Sequence, residues 1–202
     1  MTELLQNPSS MSRACNELAE VIGSKINIDE DDIVRLPYLQ VVIKETFKLH
    51  PPGPLLLPCK PNRTLQIAGY TIPKDSRVFI NIWAIGRDND VWTEPEKFMP
   101  ERFLGSPVDF KGADFELFPF GAGRRICPGV PLAIRMVHLV LASLLNQFKW
   151  SLPVELERDG TDMEEKFGLS LTKVVPLRLY QHRFELETKC VPTKTILNVF
   201  IM

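Results

Sequence analysis

The sequence predicts a mainly α fold carrying small antiparallel β-sheets, and three observations lead there. Apolar residues recur at helical spacing in three stretches, the last a long one starting near Pro128. Between Leu65 and Ile82 the pattern shortens to strand-length runs split by Ala68-Gly69 and Pro73-Lys74-Asp75. The 17 prolines exceed the usual share of about 5%, which calls for long, stiff irregular segments between elements.

Composition bounds the rest. The 202 residues are 45% hydrophobic and 24% charged, enough for one sizeable core or two small ones. With 24 basic residues against 25 acidic ones and no long basic run, the chain has no nucleic-acid footprint. Cysteines 15, 59, 127 and 190 lie far apart without a Cys-x-x-Cys pair, which argues against zinc and against a disulfide scaffold and fits a reducing, cytosol-facing setting. There is no internal repeat.

In chain order, Met1 to Pro8 turns polar before an apolar run develops, so neither a signal peptide nor a membrane anchor is expected there. Asn7 and Pro8 read as cap and first turn of a helix whose stripe is Met11, Ala14, Cys15, Leu18, Val21 and Ile22, stopped by Gly23; Cys15 is then a core residue. Asp29 to Asp32 cap a short helix, and Pro37 opens a stronger one with Leu39, Val42-Ile43 and Thr46-Phe47, ending before Pro51-Pro52. On it Glu45 and Lys48 share a face, a spacing that by itself means a surface ion pair worth about 0–1 kcal/mol. Pro54 to Pro58 is apolar and extended. Strands follow at Leu65–Ile67, Tyr70–Ile72 and Val78–Ile82, then a short helical piece from Trp83 and an irregular segment over 89–119. Trp150 to Glu157 and Phe167 to Leu179 read as a terminal β-region broken at Asp159-Gly160. The longest uncharged apolar run, Met136 to Phe148, is too short to span a bilayer and holds His138, Asn146 and Gln147.

The chemistry concentrates in Pro119-Phe120-Gly121-Ala122-Gly123-Arg124-Arg125-Ile126-Cys127-Pro128-Gly129. Glycines at 121 and 123 let the backbone turn without a side chain in the gap, and Gly129 clears the other side of the cysteine. A helix beginning near Pro128 places Cys127 at its N-terminus, where unpaired N–H groups, the dipole and Arg125 favour a thiolate. For an isolated Gly-x-Gly before a helix, the favoured reading is a glycine-rich turn with a buried cysteine.

The complete string resembles the cysteine-ligand loop of the cytochromes P-450, the haem-thiolate monooxygenases, whose Phe-x-x-Gly-x-Arg-x-Cys-x-Gly pattern is met by Phe120, Gly123, Arg125, Cys127 and Gly129. The resemblance implies the C-terminal part of that fold over residues 1–178, followed by an atypical tail, 179–202, with no assigned role. It makes Cys127 the axial iron ligand of haem b (iron protoporphyrin IX), Arg125 a propionate partner and Phe120 a packing residue beside the loop. Lys44 to Pro52 resembles the family's Glu-x-x-Arg helix with Lys48 in place of arginine, and Pro100-Glu101-Arg102-Phe103 supplies the downstream arginine. A bidentate Glu45–Arg102 pair is expected, along with a Lys48 that cannot bond both a carboxylate and carbonyls as arginine's planar fork does. Leu55 and Leu56 in one stretch, and Phe167-Gly168-Leu169 in another, correspond to the borders of the substrate cavity. Cys59 stands where the family commonly has an arginine or histidine for a propionate.

The runs Asp162 to Gly168 and Ile85 to Asp88 look most like plant geraniol-hydroxylase relatives, implying small apolar substrates such as monoterpenoids. The implied reaction takes RH, dioxygen, two protons and two electrons, the electrons from a flavoprotein NADPH-cytochrome reductase, to ROH and water. The family works on the cytosolic face of the endoplasmic reticulum membrane. Its anchor, and its oxygen-activating helix with an acid/threonine pair, correspond to nothing in these residues, so the chain by itself is expected to bind haem weakly and to lack an anchor. Two other readings stand beside this one: a non-catalytic truncated product, and an interaction module in which Cys127 is incidental.

Overall fold

Prolines at helix starts and glycines at helix stops set out the helical half of the molecule, for which a computed structural model describes residues 1–183 and 193–196. Helix α1 (Thr2–Gln6) meets α2 (Pro8–Val21) at Asn7, whose side chain donates back to the Glu3 carbonyl at 2.8 Å and makes no cap bond to α2. After α2, Gly23 takes φ +60° and donates to the Ala19 carbonyl at 3.1 Å, a left-handed stop that suits glycine. Ala14, Leu18 and Ile22 are buried, and Met11, Cys15 and Val21 pack half-buried against the same core, so the predicted stripe faces inward. Burial pushes the Cys15 thiol pKa up.

Helix α3 (Glu30–Ile33) begins in a capping box between Asp29 and Asp32. The Asp32 carboxylate accepts from the Asp29 N–H at 2.9 Å and from Lys25 at 2.6 Å, and these bonds hold its pKa at about 2. Helix α4 (Pro37–Leu49) is the centre of the core, with Leu39, Val42, Ile43 and Phe47 buried. Its first turn lacks a cap of its own. Glu17, reaching across from α2, accepts from the Tyr38 and Leu39 N–H groups at 2.7 and 2.9 Å, which both satisfies orphan donors and ties the helices together.

Helix α6 (Val130–Gln147) covers this pair through Ala142 and Leu145. It starts two residues later than expected: Gly129 is the N-cap and Pro131, not Pro128, occupies the first turn. By length and composition α6 could cross a bilayer, a test that core helices also pass; here it contacts α2, α3 and α4. Its Arg135 pairs with Glu30 at 3.4 Å.

Strands β1 (Leu65–Ile67) and β2 (Tyr70–Ile72) pair antiparallel as predicted, Leu65 opposite Ile72, around Ala68 and Gly69, both at positive φ. The third expected strand, Val78 to Ile82, shrinks to a single bridge between Cys59 and Val78. Asn81 ends it by capping α5 (Ile82–Ile85), its side chain accepting from the Ala84 N–H at 3.0 Å. Within 89–119 the only helical turn is a 3-10 piece at Pro100–Phe103.

β3 (Phe148–Ser151) stops before Pro153, and the residues expected to extend the strand to Glu157 form α7 (Val154–Asp159); proline removes the ladder donor, and Glu-Leu-Glu-Arg favours a helix. β4 (Glu165–Lys166) and β5 (Thr172–Lys173) make a hairpin. β6 (Arg178–Arg183) pairs with β3 and with β7 (Thr193–Ile196), so the boundary drawn at 178/179 falls inside a strand. Residues 184–192 and 197–202 of the expected tail, with Cys190, lie outside the described residues.

Candidate functional site

The cysteine loop is held by its own backbone. Gly121 at φ +77° donates to the Phe118 carbonyl at 2.9 Å, Ile126 donates to the Gly123 carbonyl at 3.2 Å, and the Cys127 N–H donates to the Phe120 carbonyl at 3.0 Å. Gly123, at φ +63°, opens a 3-10 turn through Arg125 and has nothing within 4 Å of where a Cβ would sit. Cys127 is exposed, as are Arg124 and Arg125. A Cβ built on Gly129 would stand 3.6 Å from the Cys127 sulfur, so the glycine keeps that side open. Phe120 meets Phe47 of α4 edge-on at 5.3 Å, and Phe47 meets Phe110 at 5.8 Å, anchoring the loop to the core helix.

Gly112 was not singled out from sequence. At φ +83°, a Cβ there would lie 2.9 Å from both the Gly121 carbonyl oxygen and Ile126 Cδ1, so the connection from the 3-10 turn presses directly on the cysteine loop. A glycine between Phe110 and Asp114 was the available signal, but only the fold shows what it touches.

The ion network behind the loop is buried and differs from expectation in two ways. Arg102 reaches Glu45 with one bond, Nε to Oε2 at 3.0 Å, and is not bidentate; its terminal nitrogens donate to the carbonyls of Thr93, Glu94 and Lys97 at 2.6, 3.1 and 3.2 Å. Lys48 bonds both a carboxylate and a carbonyl, Glu45 Oε1 at 3.1 Å and Pro95 O at 2.6 Å, because three rotatable donors on one ammonium face both acceptors. The Met99 N–H completes Glu45 at 3.2 Å. Burial raises the Glu45 pKa and lowers that of Lys48, each opposed by the partner's charge. Gly86 packs against the end of α4: a Cβ there would run into the Lys48 carbonyl oxygen. The network therefore ties α4 to the irregular segment and thence to the cysteine loop.

The two apolar stretches come together. Leu56, at φ +51°, breaks the expected extended run, and its Cδ1 lies 3.9 Å from a Cβ built on Gly121. Leu55 is exposed. Phe167 packs edge-on at 5.6 Å against Trp83, whose backbone N–H donates to the Pro54 carbonyl at 3.2 Å; Gly168 turns the hairpin, and the Leu171 N–H donates to the Pro52 carbonyl at 2.9 Å, bringing the hairpin against Pro52 and Gly53. Cys59 is exposed with its sulfur 3.7 Å from the Leu57 carbonyl.

The donor chemistry fits an iron porphyrin. An exposed sulfur whose Gly129 side carries no side chain would suit the face of a flat group, and two exposed arginines in the same loop would suit an anionic edge.

The cytochrome P-450 family profile matches residues 1–177. The geraniol 8-hydroxylases of Swertia mussotii and Catharanthus roseus are 53% and 54% identical to this chain over 178 residues, which is 88% of this chain and 36% of each relative. The 7-ethoxycoumarin O-deethylase of Helianthus tuberosus is 53% identical over 177 residues, again 88% of this chain and 36% of the relative. A solved zebra fish cytochrome P-450 with abiraterone superposes with a TM-score of 0.76 at 30% identity, over 96% of this chain and 41% of that one. The chain thus spans a little over a third of the length of the curated relatives it matches.

Proposed function

Because the chain belongs to the cytochrome P-450 family, we propose that it forms the cysteine-ligand part of a haem-thiolate monooxygenase hydroxylating small apolar molecules such as monoterpenoids. The observation that carries this is the Cys127 loop: an exposed sulfur cleared by Gly129, with its own N–H spent on the Phe120 carbonyl. When bound, haem b supplies the oxygen-activating chemistry, with electrons from a flavoprotein NADPH-cytochrome reductase at the cytosolic face of the endoplasmic reticulum.

This chain's residues then have defined work. Cys127 would hold the iron through its sulfur, a soft donor suited to a haem iron. Arg125 would pair with a haem propionate. Phe120, wedged on Phe47, keeps the loop from collapsing onto the core. Glu45, Lys48 and Arg102 hold α4 and the irregular segment in register behind it. Leu55, Leu56, Phe167 and Gly168 offer apolar surface that orients a hydrocarbon by excluding water. The geraniol 8-hydroxylase names of two relatives support the substrate class.

The test is a transplant. Residues 1–177 of this chain replace the matching segment of the Catharanthus roseus enzyme, and geraniol hydroxylation is measured with reductase and NADPH. Product formed by the transplant and lost in its Cys127→Ala form is the expected result. A well-folded transplant that binds haem and yields no hydroxylated product overturns the reading.

A further inference from the structure

His50, at the C-terminal end of α4, joins three elements at once. Its Nδ1 lies 2.5 Å from Glu165 Oε1 on β4, and its Nε2 lies 2.7 Å from Glu3 Oε1 on α1. A neutral imidazole carries one N–H and one lone pair, so one of these contacts would then set a lone pair against a carboxylate oxygen. Only the imidazolium donates to both. The other Glu165 oxygen accepts from Trp83 Nε1 at 2.9 Å, and Trp83 is the ring that Phe167 packs against. Arg87 lies over that ring at 4.1 Å and donates to the Leu49 carbonyl at 2.6 Å.

We propose that doubly protonated His50 is the positioning residue for the 165–173 hairpin, pinning its root to α1 and α4 so that its tip stays against Pro52 and Gly53. That the tip borders a substrate cavity rests on the proposed function; the pinning itself does not. The charged groups facing this centre are Glu3 from α1 with the Met1 amino group beside it, Glu165 from β4, Arg87 after α5, Lys173 from β5 and Glu96 from the long irregular segment. Burial opposes charge on His50, yet the Glu165 and Glu3 carboxylates outweigh it and hold its pKa above the ordinary value. Burial likewise opposes charge on Glu165, and the bonds from His50 and Trp83 outweigh it and hold that pKa down.

The signs follow from linkage. With its folded pKa raised, His50 contributes stability that is fully present below its unfolded value of about 6.5 and is lost as pH rises through the folded value. Glu165, depressed, contributes above its unfolded value of about 4.3 and fails only as pH falls through its lower folded value. The pin therefore holds on the mildly acidic side and is released toward alkaline pH.

Amide hydrogen exchange on the whole chain tests this across pH 6 to 9, corrected for base-catalysed intrinsic exchange, with the His50 ring titrated in parallel by NMR. The expected result is a loss of protection of about tenfold or more at the amides of 165–173, with the same midpoint as the ring. Amides of α4 should not follow it. His50→Gln should abolish the step and leave the hairpin at its looser level throughout. Hairpin exchange in the wild-type chain that shows no step at the ring's midpoint overturns the proposal, and this comparison needs no variant to fold. No haem enters either readout, so a failed transplant leaves this result intact and a failed pin leaves the transplant result intact.

Discussion

Lys48 has 0% of its side chain exposed, yet its ammonium has two strong acceptors and sits 5.7 Å from the Trp92 ring centre. An isolated buried lysine would shed its proton; this one is compensated by Glu45, which Arg102 also neutralises. Restoring the family's arginine at 48 should therefore bring no gain. The guanidinium is bulkier, the Lys48 side chain is already fully enclosed, and overpacking costs about 1–3 kcal/mol. Lys48→Met should be worse, about 3 kcal/mol, because it strands the Pro95 carbonyl and leaves Glu45 short of a cation. Denaturant midpoints rank the three, wild type first; a Lys48→Arg form clearly more stable than wild type would show that the lysine is a defect.

At the scale of elements, the connection over 89–119 is made functional by what it presses on. Gly112→Ala meets both a left-handed φ and a 2.9 Å approach to the Gly121 carbonyl, whereas Gly105→Ala meets the same kind of φ with nothing within 4 Å. The first should cost about 1–3 kcal/mol more than the second and speed exchange of the Cys127 amide, which is bonded to Phe120. Equal effects of the two substitutions on stability and on that amide would remove the buttress. The helices α2 and α4 were legible because periodic apolar residues, led by proline, must face a core whatever surrounds them. Val78 to Ile82 was not, because strand propensity says nothing of a partner, and only Cys59 offers one. Trp150 to Glu157 has an aromatic, strand-like start, but Pro153 has no ladder N–H, so the strand stops at Ser151 and a helix follows. Of the candidate site, the sharp turns of the cysteine loop were legible in Gly121 and Gly123, both at positive φ, while the ligand role of Cys127 rests on the resemblance. The lysine's second acceptor and the two carboxylates on His50 could not, since Pro95, Glu3 and Glu165 are brought in from distant parts of the chain.

For the whole molecule, α6 exposes an apolar stripe. Leu132, Met136 and Val140 follow one another at four-residue spacing and are 67%, 50% and 48% exposed. Such a stripe promotes association. Met136→Lys should lower concentration-dependent self-association in sedimentation while leaving the unfolding free energy within about 0.5 kcal/mol, as surface changes usually do. Unchanged association would place the sticky surface elsewhere.

The central claim is that Cys127 provides the sulfur ligand of a haem-thiolate protein, and the reduced carbon monoxide spectrum of the haem-loaded chain addresses it most directly. Cys15 is half-buried against the core, with its thiol pKa pushed up, and Cys59 lies on an exposed bridge, so neither has the glycine-cleared setting of Cys127. The account predicts a strongly red-shifted Soret band in the wild-type chain and in Cys15→Ser and Cys59→Ser, and its loss in Cys127→Ala. A red-shifted band that survives in Cys127→Ala would contradict it.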